Sequence, residues 1–146
     1  MAVRFVTPQD AEYPYLCALR YCLFFQAHHL PKDILFDAQE TRSLHAVITH
    51  DETHSVLAYG RLTPASDRVF QISQMVVAPE WQHQGLGKAI VAALLERAAA
   101  DRAHTIVLDA RTDAMGFYQK LGFERTSDVF PSAKTGVPHV RMQKKL

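Results

Sequence analysis

The stretch Gln82-His83-Gln84-Gly85-Leu86-Gly87-Lys88 decides how this chain folds. It follows the β-prone run Val69–Val77 and leads into Leu86–Ala100, where apolar residues recur at helical spacing. The first N–H groups of a helix have no partner inside it, and the helix dipole adds partial positive charge there. Glycines let a phosphate approach the backbone, and Lys88 adds a cation. The stretch therefore predicts a phosphate-binding loop.

Two other kinds of phosphate loop do not fit these residues. A P-loop reads Gly-x-x-x-x-Gly-Lys-Ser/Thr, but Gln82 stands at its first glycine and Ala89 at its hydroxyl. The dinucleotide-binding fingerprint needs a third glycine, and Ile90 stands there. The pattern that remains is Gln82-x-x-Gly85-x-Gly87. Taken alone, it fits a glycine-rich turn before a surface helix equally well.

Outward from this loop, the chain alternates β-prone and helical segments without a repeat, a low-complexity tract or a flexible linker. Residues 64–67 read as a loop, Asp113 as a helix N-cap, and Gly122 as a left-handed C-terminal cap. The β-prone segments are 3–7, 45–49, 55–62, 69–77, 104–109, 123–130 and 137–144, and the helical ones are 12–27, 86–100 and 113–121, with room for a short helix in 32–43. This order predicts a mixed α/β sheet with helices packed on it.

Length and composition fit one domain over residues 1–146. The net charge of +1 and the absence of a basic-aromatic patch argue against nucleic acid. No stretch approaches the ~20 apolar residues of a membrane span, and no signal peptide is visible. Cys17 and Cys22 would face different sides of a helix, so we expect reduced thiols in a cytoplasmic protein. A homodimer is compatible with the sequence.

The pattern at Gln82, Gly85 and Gly87 resembles the pyrophosphate loop of the GCN5-related N-acetyltransferases, the GNAT superfamily. Residues 75–80 (Met-Val-Val-Ala-Pro-Glu) resemble the fourth strand of that family and its exit. Residues 116–123 (Gly-Phe-Tyr-Gln-Lys-Leu-Gly-Phe) resemble its FYxKLGF segment, at a distance that fits helix, strand and helix. The resemblance implies a GNAT fold with a largely antiparallel sheet of about six to seven strands and about four flanking helices, splayed between strands 4 and 5.

A narrower resemblance extends to the ElaA-like acetyltransferases. It rests on Gly136-Val137-Pro138-His139-Val140-x-Met142, on Leu19-Arg20-x-x-x-Phe24 and on residues 40–45. Gln26 stands about where those proteins often have a glutamate.

The family resemblance implies roles for individual residues. Acetyl-CoA would bind through residues 82–88, through the backbone of Met75, Val76 and Val77, and through Arg111, which stands where many members have a CoA-binding asparagine. Tyr118 would protonate the departing thiolate, as a phenol within reach can. The alternative for Tyr118 is a core aromatic on a helix that also carries Phe117 and Leu121.

The family resemblance assigns no general base in this chain, because the fourth strand reads Gln71-Ile72-Ser73-Gln74 where many members carry a glutamate. A water held by Gln71 or Ser73 could serve. His139 could also serve, since an imidazole titrates near neutrality, although a purely structural hydrogen bond accounts for it too.

These patterns predict an acetyl-CoA-dependent N-acetyltransferase that acts directly on a primary amine, and they do not identify that amine. The missing carboxylate leaves a second hypothesis open, a module that binds acetyl-CoA without turnover. Eight histidines invite a zinc site, but no Cys/His cluster or His-Glu-x-x-His spacing supports one, and we predict no metal.

Overall fold

The computed structural model describes residues 2–146, which form one eight-stranded sheet with helices on both faces. The strands are β1 (Arg4–Val6), β2 (Leu44–Thr49), β3 (Val56–Ser66), β4 (Val69–Val77), β5 (Thr105–Arg111), β6 (Glu124–Arg125), β7 (Phe130–Pro131) and β8 (Pro138–Lys145). The helices are α1 (Tyr13–Phe24), α2 (Leu86–Ala100) and α3 (Met115–Lys120), and short 3₁₀ turns lie at Gln26–His28, Lys32–Leu35, Glu40–Arg42, Pro79–Trp81 and Thr112–Ala114.

The strand order is β1-β2-β3-β4-β5-β8-β6, with β7 also paired to β8. Every pair is antiparallel except β4 and β5, which α2 connects as a parallel crossover. Their pairing runs only from Val69 opposite Thr105 to Ile72 opposite Leu108. Both strands continue beyond that point without pairing to each other, so the sheet splays open between them.

The two faces of the sheet carry different helices. On one face α2 buries Ile90 and Leu94 against a cluster that includes Ile72 and Leu108. On the other face α1 buries Leu16 in a smaller cluster with Val47, Tyr59 and Val76. Apolar burial of this kind contributes roughly 25 cal/mol per Å². The sheet is therefore held from both sides, and the gap between β4 and β5 lies in its middle.

A bulge interrupts β4 next to the gap. Tyr59 pairs with Val76 and Arg61 with Ser73, so Gly60 alone faces Gln74 and Met75. Gln74 has a φ of 54°, a left-handed conformation that is uncommon for a residue with a side chain. A Cβ at Gly60 would lie 2.5 Å from Met75 Sδ and 2.6 Å from Ile90 Cγ2, so a larger residue opposite the bulge would force these side chains to shift. The imperfect alternation of residues 71–77 is explained by this bulge.

The predicted fold class is confirmed, including the splay, although the sheet has eight strands and three α-helices are found within residues 2–146. The predicted helix 12–27 ends at Phe24, and residues 32–43 form 3₁₀ turns instead of an α-helix. The predicted strand 123–130 is split into β6 and β7. Both cysteines are free thiols.

The predicted loop at Pro64 and the predicted helix cap at Asp113 differ from the structure. Pro64 lies within β3 and not in a loop. Proline has no backbone N–H to donate, but β2 pairs with β3 only as far as Leu62, so no β2 carbonyl needs a donor at Pro64. Asp113 does not cap α3, because it instead accepts a hydrogen bond from Arg111. Gly122 does adopt the predicted left-handed cap, with a φ of 93°.

Candidate active site

A cavity of about 860 Å³ occupies the gap between β4 and β5. Its lining includes Leu108 and Tyr118, which belong to the apolar cluster around α2. It also includes Leu23 and Phe24, which belong to the cluster around α1 on the opposite face. The cavity therefore passes through the sheet, and two molecules entering from opposite faces could meet in it.

The predicted phosphate loop lies at the beginning of α2. Gly85 precedes the helix with a φ of 81°, and no side chain caps the first turn. Gln82 turns back to donate a hydrogen bond to the Val77 carbonyl, 3.2 Å away. A Cβ at Gly87 would lie 3.4 Å from Phe117 Cζ, so the loop packs against the residue that precedes Tyr118. Residues 82–88 do not line the cavity itself; they leave open helix N–H groups beside it.

Tyr118 is a buried wall residue of the cavity, with 7% of its surface exposed. The rings of Phe117 and Phe123 pack edge-on against it, with centroids 5.0 Å and 5.8 Å away. Its hydroxyl has no hydrogen-bond partner within residues 2–146. Burial raises the pKa of Tyr118, so the phenol keeps its proton at neutral pH. The side chain is both a core aromatic and an available proton donor.

His139 lies on β8 opposite Arg111 and lines the same cavity. Its Nδ1 is 2.7 Å from the Val137 carbonyl oxygen. A carbonyl oxygen can only accept, so Nδ1 carries the proton and Nε2 of the neutral ring keeps its lone pair. Phe130 flanks the ring at 6.4 Å between centroids. The structural hydrogen bond and the role as a base are thus compatible, one on each nitrogen.

The remaining predicted donor-binding residues border the gap. Met75, Val76 and Val77 follow the bulge on the part of β4 that has no β5 partner, and Met75 lines the cavity. Arg111 ends β5 and lines the cavity, with its side chain half exposed and Nη2 3.1 Å from Asp113 Oδ2. Gln71 and Ser73 also line it, and Ser73 accepts a hydrogen bond from Arg61.

A network of ion pairs reaches the cavity on the α1 side through Asp37, Arg61 and Lys134, and sequence reasoning missed it. Arg20, with none of its surface exposed, donates to both carboxylate oxygens of Glu40 at 2.8 Å. Arg61 donates to Glu40 at 3.0 Å and to both oxygens of Asp37. Lys134, from the loop before β8, donates to Asp37 at 2.8 Å. We call these five residues the ion-pair network. One signal was available, since Arg20 is four residues after the buried Leu16 and so shares its helix face.

The two carboxylates of the ion-pair network are held in their charged form. Burial raises the pKa of Glu40, but hydrogen bonds from Arg20 and Tyr13 outweigh it and bring the pKa to about 2. Burial likewise raises the pKa of Asp37, and hydrogen bonds from Arg61 and Lys134 bring it to about 2. Neither carboxylate is therefore a ready proton acceptor at neutral pH, although one of them borders the cavity.

Gln74 connects the ion-pair network to the bulge of β4. Its Oε1 accepts from Arg20 Nε at 2.8 Å and from Arg20 Nη2 at 2.6 Å. Its Nε2 is buried, and no hydrogen-bond partner for it lies within the described part of the chain. The left-handed backbone at Gln74 thus turns a side chain toward α1, and the arginine of α1 holds it there.

Within residues 2–146, no three His, Cys, Asp or Glu side chains are grouped so that they could hold a metal ion. The helices in the same range are too short or too polar to cross a membrane.

Known proteins resemble this chain either in sequence or in fold. The UPF0039 protein of Schizosaccharomyces pombe is 30% identical over 93 residues, which cover 62% of this chain and 61% of that protein. The crystal structure of Escherichia coli ElaA superposes with a TM-score of 0.83 at 18% identity, over 99% of this chain and 100% of that one. An aminoglycoside 6'-N-acetyltransferase complexed with coenzyme A has a TM-score of 0.78 at 14% identity, over 99% and 97%. The predicted resemblance is confirmed by a family model for the GNAT acetyltransferase domain, which matches residues 26–146. The chain belongs to the GNAT acetyltransferase family.

Proposed function

We propose that this protein is an acetyl-CoA-dependent N-acetyltransferase that transfers the acetyl group directly to a primary amine of a small molecule or peptide. One observation carries the proposal: Tyr118 and His139 both line the cavity in the splayed sheet, and Val137 engages only the Nδ1 of His139. Family membership supports the reaction class, and residues 1–146 would act as one catalytic domain.

Acetyl-CoA would enter from the α2 face of the sheet. Its pyrophosphate would bind the N–H groups of residues 82–88, where Gly85 and Gly87 leave the backbone open, with Lys88 and Arg111 adding positive charge. The pantetheine would then lie along the unpaired edge of β4 at Met75, Val76 and Val77. An N–H of this segment would stabilise the oxyanion. The related structure that holds coenzyme A supports this donor.

The reaction would use one nucleophile and two proton transfers. The neutral amine attacks the thioester carbonyl, forming the C–N bond of the amide as the C–S bond breaks. The amine proton passes to His139 Nε2, and Tyr118 gives its proton to the departing thiolate. The products are an acetylated amine and free coenzyme A. The alternative base is a water held by Gln71 or Ser73, and a His139→Gln variant with a wild-type pH-rate profile would assign the step to that water.

The test is thiol release from acetyl-CoA across a panel of primary amines. Tyr118→Phe removes only the hydroxyl, and we expect kcat to fall by about 100-fold with little change in KM for acetyl-CoA. Phe123→Leu, which also packs against Tyr118 but has no polar group, is the matched control for packing. Equal kcat for Tyr118→Phe and wild type at every pH would remove Tyr118 from the mechanism.

A second candidate is a module that binds acetyl-CoA without turnover. It is favoured by the pairing of the two carboxylates in the cavity lining, Asp37 and Asp109, with basic side chains. Calorimetric binding of acetyl-CoA without thiol release for any amine would establish it. We also propose a cytoplasmic location, which the free cysteines suit. We further propose a homodimer, which size-exclusion chromatography with light scattering can test.

A further inference from the structure

We propose that the acceptor amine also carries a carboxylate, and that Lys134 binds it. This inference rests on the proposed function, because it concerns the second substrate of the same cavity. It follows from the charges and hydrogen bonds of the wall on the α1 side.

The wall offers no unpaired carboxylate to a substrate ammonium. Among the described residues that line the cavity, Asp37 and Asp109 are the carboxylates. Asp37 accepts two hydrogen bonds from Arg61, one from Lys134 and one from the Gln39 N–H. Asp109 pairs with Arg141 at 2.9 Å. Each of these carboxylates is already neutralised by a basic side chain, so neither attracts a substrate ammonium as an unpaired carboxylate would.

Arg61 cannot take the role of an anion-binding residue. Its Nε donates to Ser73, Nη1 to Asp37 and Glu40, and Nη2 to Asp37 and Gln39. These bonds use all five donors of the guanidinium, and only 2% of the side chain is exposed. It shapes the wall and holds Asp37 in position.

Lys134 differs from Arg61 because it has donors to spare. Its ammonium has three N–H groups, of which Asp37 takes one at 2.8 Å. One third of the side chain is exposed, and Nζ lies 5.7 Å from the centre of the Phe25 ring. Both neighbours line the cavity. A carboxylate entering beside Phe25 could accept the remaining N–H groups without breaking the bond to Asp37.

The charge of the ion-pair network favours the same ligand. Its three cations, Arg20, Arg61 and Lys134, outnumber its two carboxylates, Glu40 and Asp37. An added carboxylate neutralises this excess.

The rest of the wall suggests the body of the acceptor. Phe24, Phe25 and Phe130 line the cavity on this side, and Leu23 adjoins them. Aromatic walls bind apolar groups and orient them. An amino acid or a related amino carboxylate with an apolar side chain therefore fits the combination of Lys134 and these rings.

The experiment compares matched acceptors with acetyl-CoA at saturation. Phenylalanine is set against phenylalanine amide and phenethylamine, and 6-aminohexanoate against hexylamine and 1,6-diaminohexane. We expect kcat/KM to be at least about tenfold higher for the carboxylate of each set, as one charge-assisted hydrogen bond allows. Lys134→Gln should bring that ratio close to one, and Lys134→Glu should shift the preference toward the diamine.

Lys32→Gln, an exposed lysine outside the cavity, is the matched control and should keep the wild-type ratio. Equal or faster acetylation of the neutral amines or the diamine by wild type would overturn the inference while leaving the proposed function intact. A carboxylate preference that survives in Lys134→Gln would overturn the role of Lys134. Failure to acetylate any amine, with acetyl-CoA bound, would instead overturn the proposed function, and this inference with it.

Discussion

The two sides of the cavity are built in contrasting ways. On the α2 side, residues 82–88 and 116–123 are continuous stretches, and apolar packing holds Tyr118 in place. On the α1 side, the ion-pair network collects side chains that lie far apart in the chain, such as Asp37 and Lys134, which are 97 residues apart. A local motif reveals the first side from sequence. The second side exists only after folding, so it is also where the structure adds most about the acceptor.

The largest effect expected from this contrast is at Glu40. Glu40→Gln leaves the buried Arg20 without a charge partner, and uncompensated buried charge costs about 3–5 kcal/mol. Chemical denaturation should show that loss in the free energy of unfolding. Asp101→Asn breaks the exposed Arg97–Asp101 pair and should change it by less than about 1 kcal/mol. Similar losses for the two variants would contradict a special role for the buried network.

The next effect concerns the bulge that separates the two sides. Gly60→Ala places a methyl group against Met75 and Ile90 within a packed core, and overpacking costs about 1–3 kcal/mol. Thermal unfolding should show a lower Tm for this variant. Gly116→Ala is the control, because no atom lies within 4 Å of its added Cβ and alanine favours the helix. A Gly60→Ala protein as stable as wild type would mean that the bulge yields easily.

The smallest effect is the acid sensitivity of the ion-pair network. Asp37 has a pKa of about 2 in the folded protein, below that of an unfolded aspartate, so the stability it contributes is present above about pH 4 and is lost as the pH falls toward 2. That contribution is on the order of 2 kcal/mol. Asp37→Asn should make the dependence of unfolding free energy on pH between 4 and 2 less steep, and Glu40 accounts for part of the slope that remains.

Asp101→Asn should keep the wild-type slope in the same titration. An equally steep slope for Asp37→Asn would show that other carboxylates cause the acid sensitivity.

The sequence predicted those features of the fold that depend on residues close together in the chain. Helix Leu86–Ala100 and strand Val69–Val77 have the predicted bounds because their hydrophobic patterns are strong and Gly85 and Pro79 each mark one end. The left-handed turn at Gly122 follows from the same local chemistry. The identities of Tyr118 and His139 came from motifs, while their positions in one cavity needed the fold.

What the sequence did not predict depends on partners elsewhere in the chain. Pro64 can extend β3 because the pairing with β2 has already ended at Leu62. The residues around Pro64 do not show where β2 ends. Residues 32–43 form 3₁₀ turns that place Asp37 and Glu40 against two arginines, and this long-range pairing replaces helix propensity. Arg20 matched a family pattern by position, but nothing in the motif named Glu40 or Gln74 as its partners.

The short contact between β4 and β5 also has a consequence for how the molecule holds together. In the described part of the chain, four residue pairs of β4 and β5 join the half-sheet β1–β4 to the half-sheet β5–β8, and α2 connects the two strands. Such a seam can open while each half keeps its own hydrogen bonds, so the slowest-exchanging amides should lie within the halves and not across the seam. A molecule that binds in the gap contacts both half-sheets. Its binding should therefore raise the free energy of opening between them and slow amide exchange at the seam.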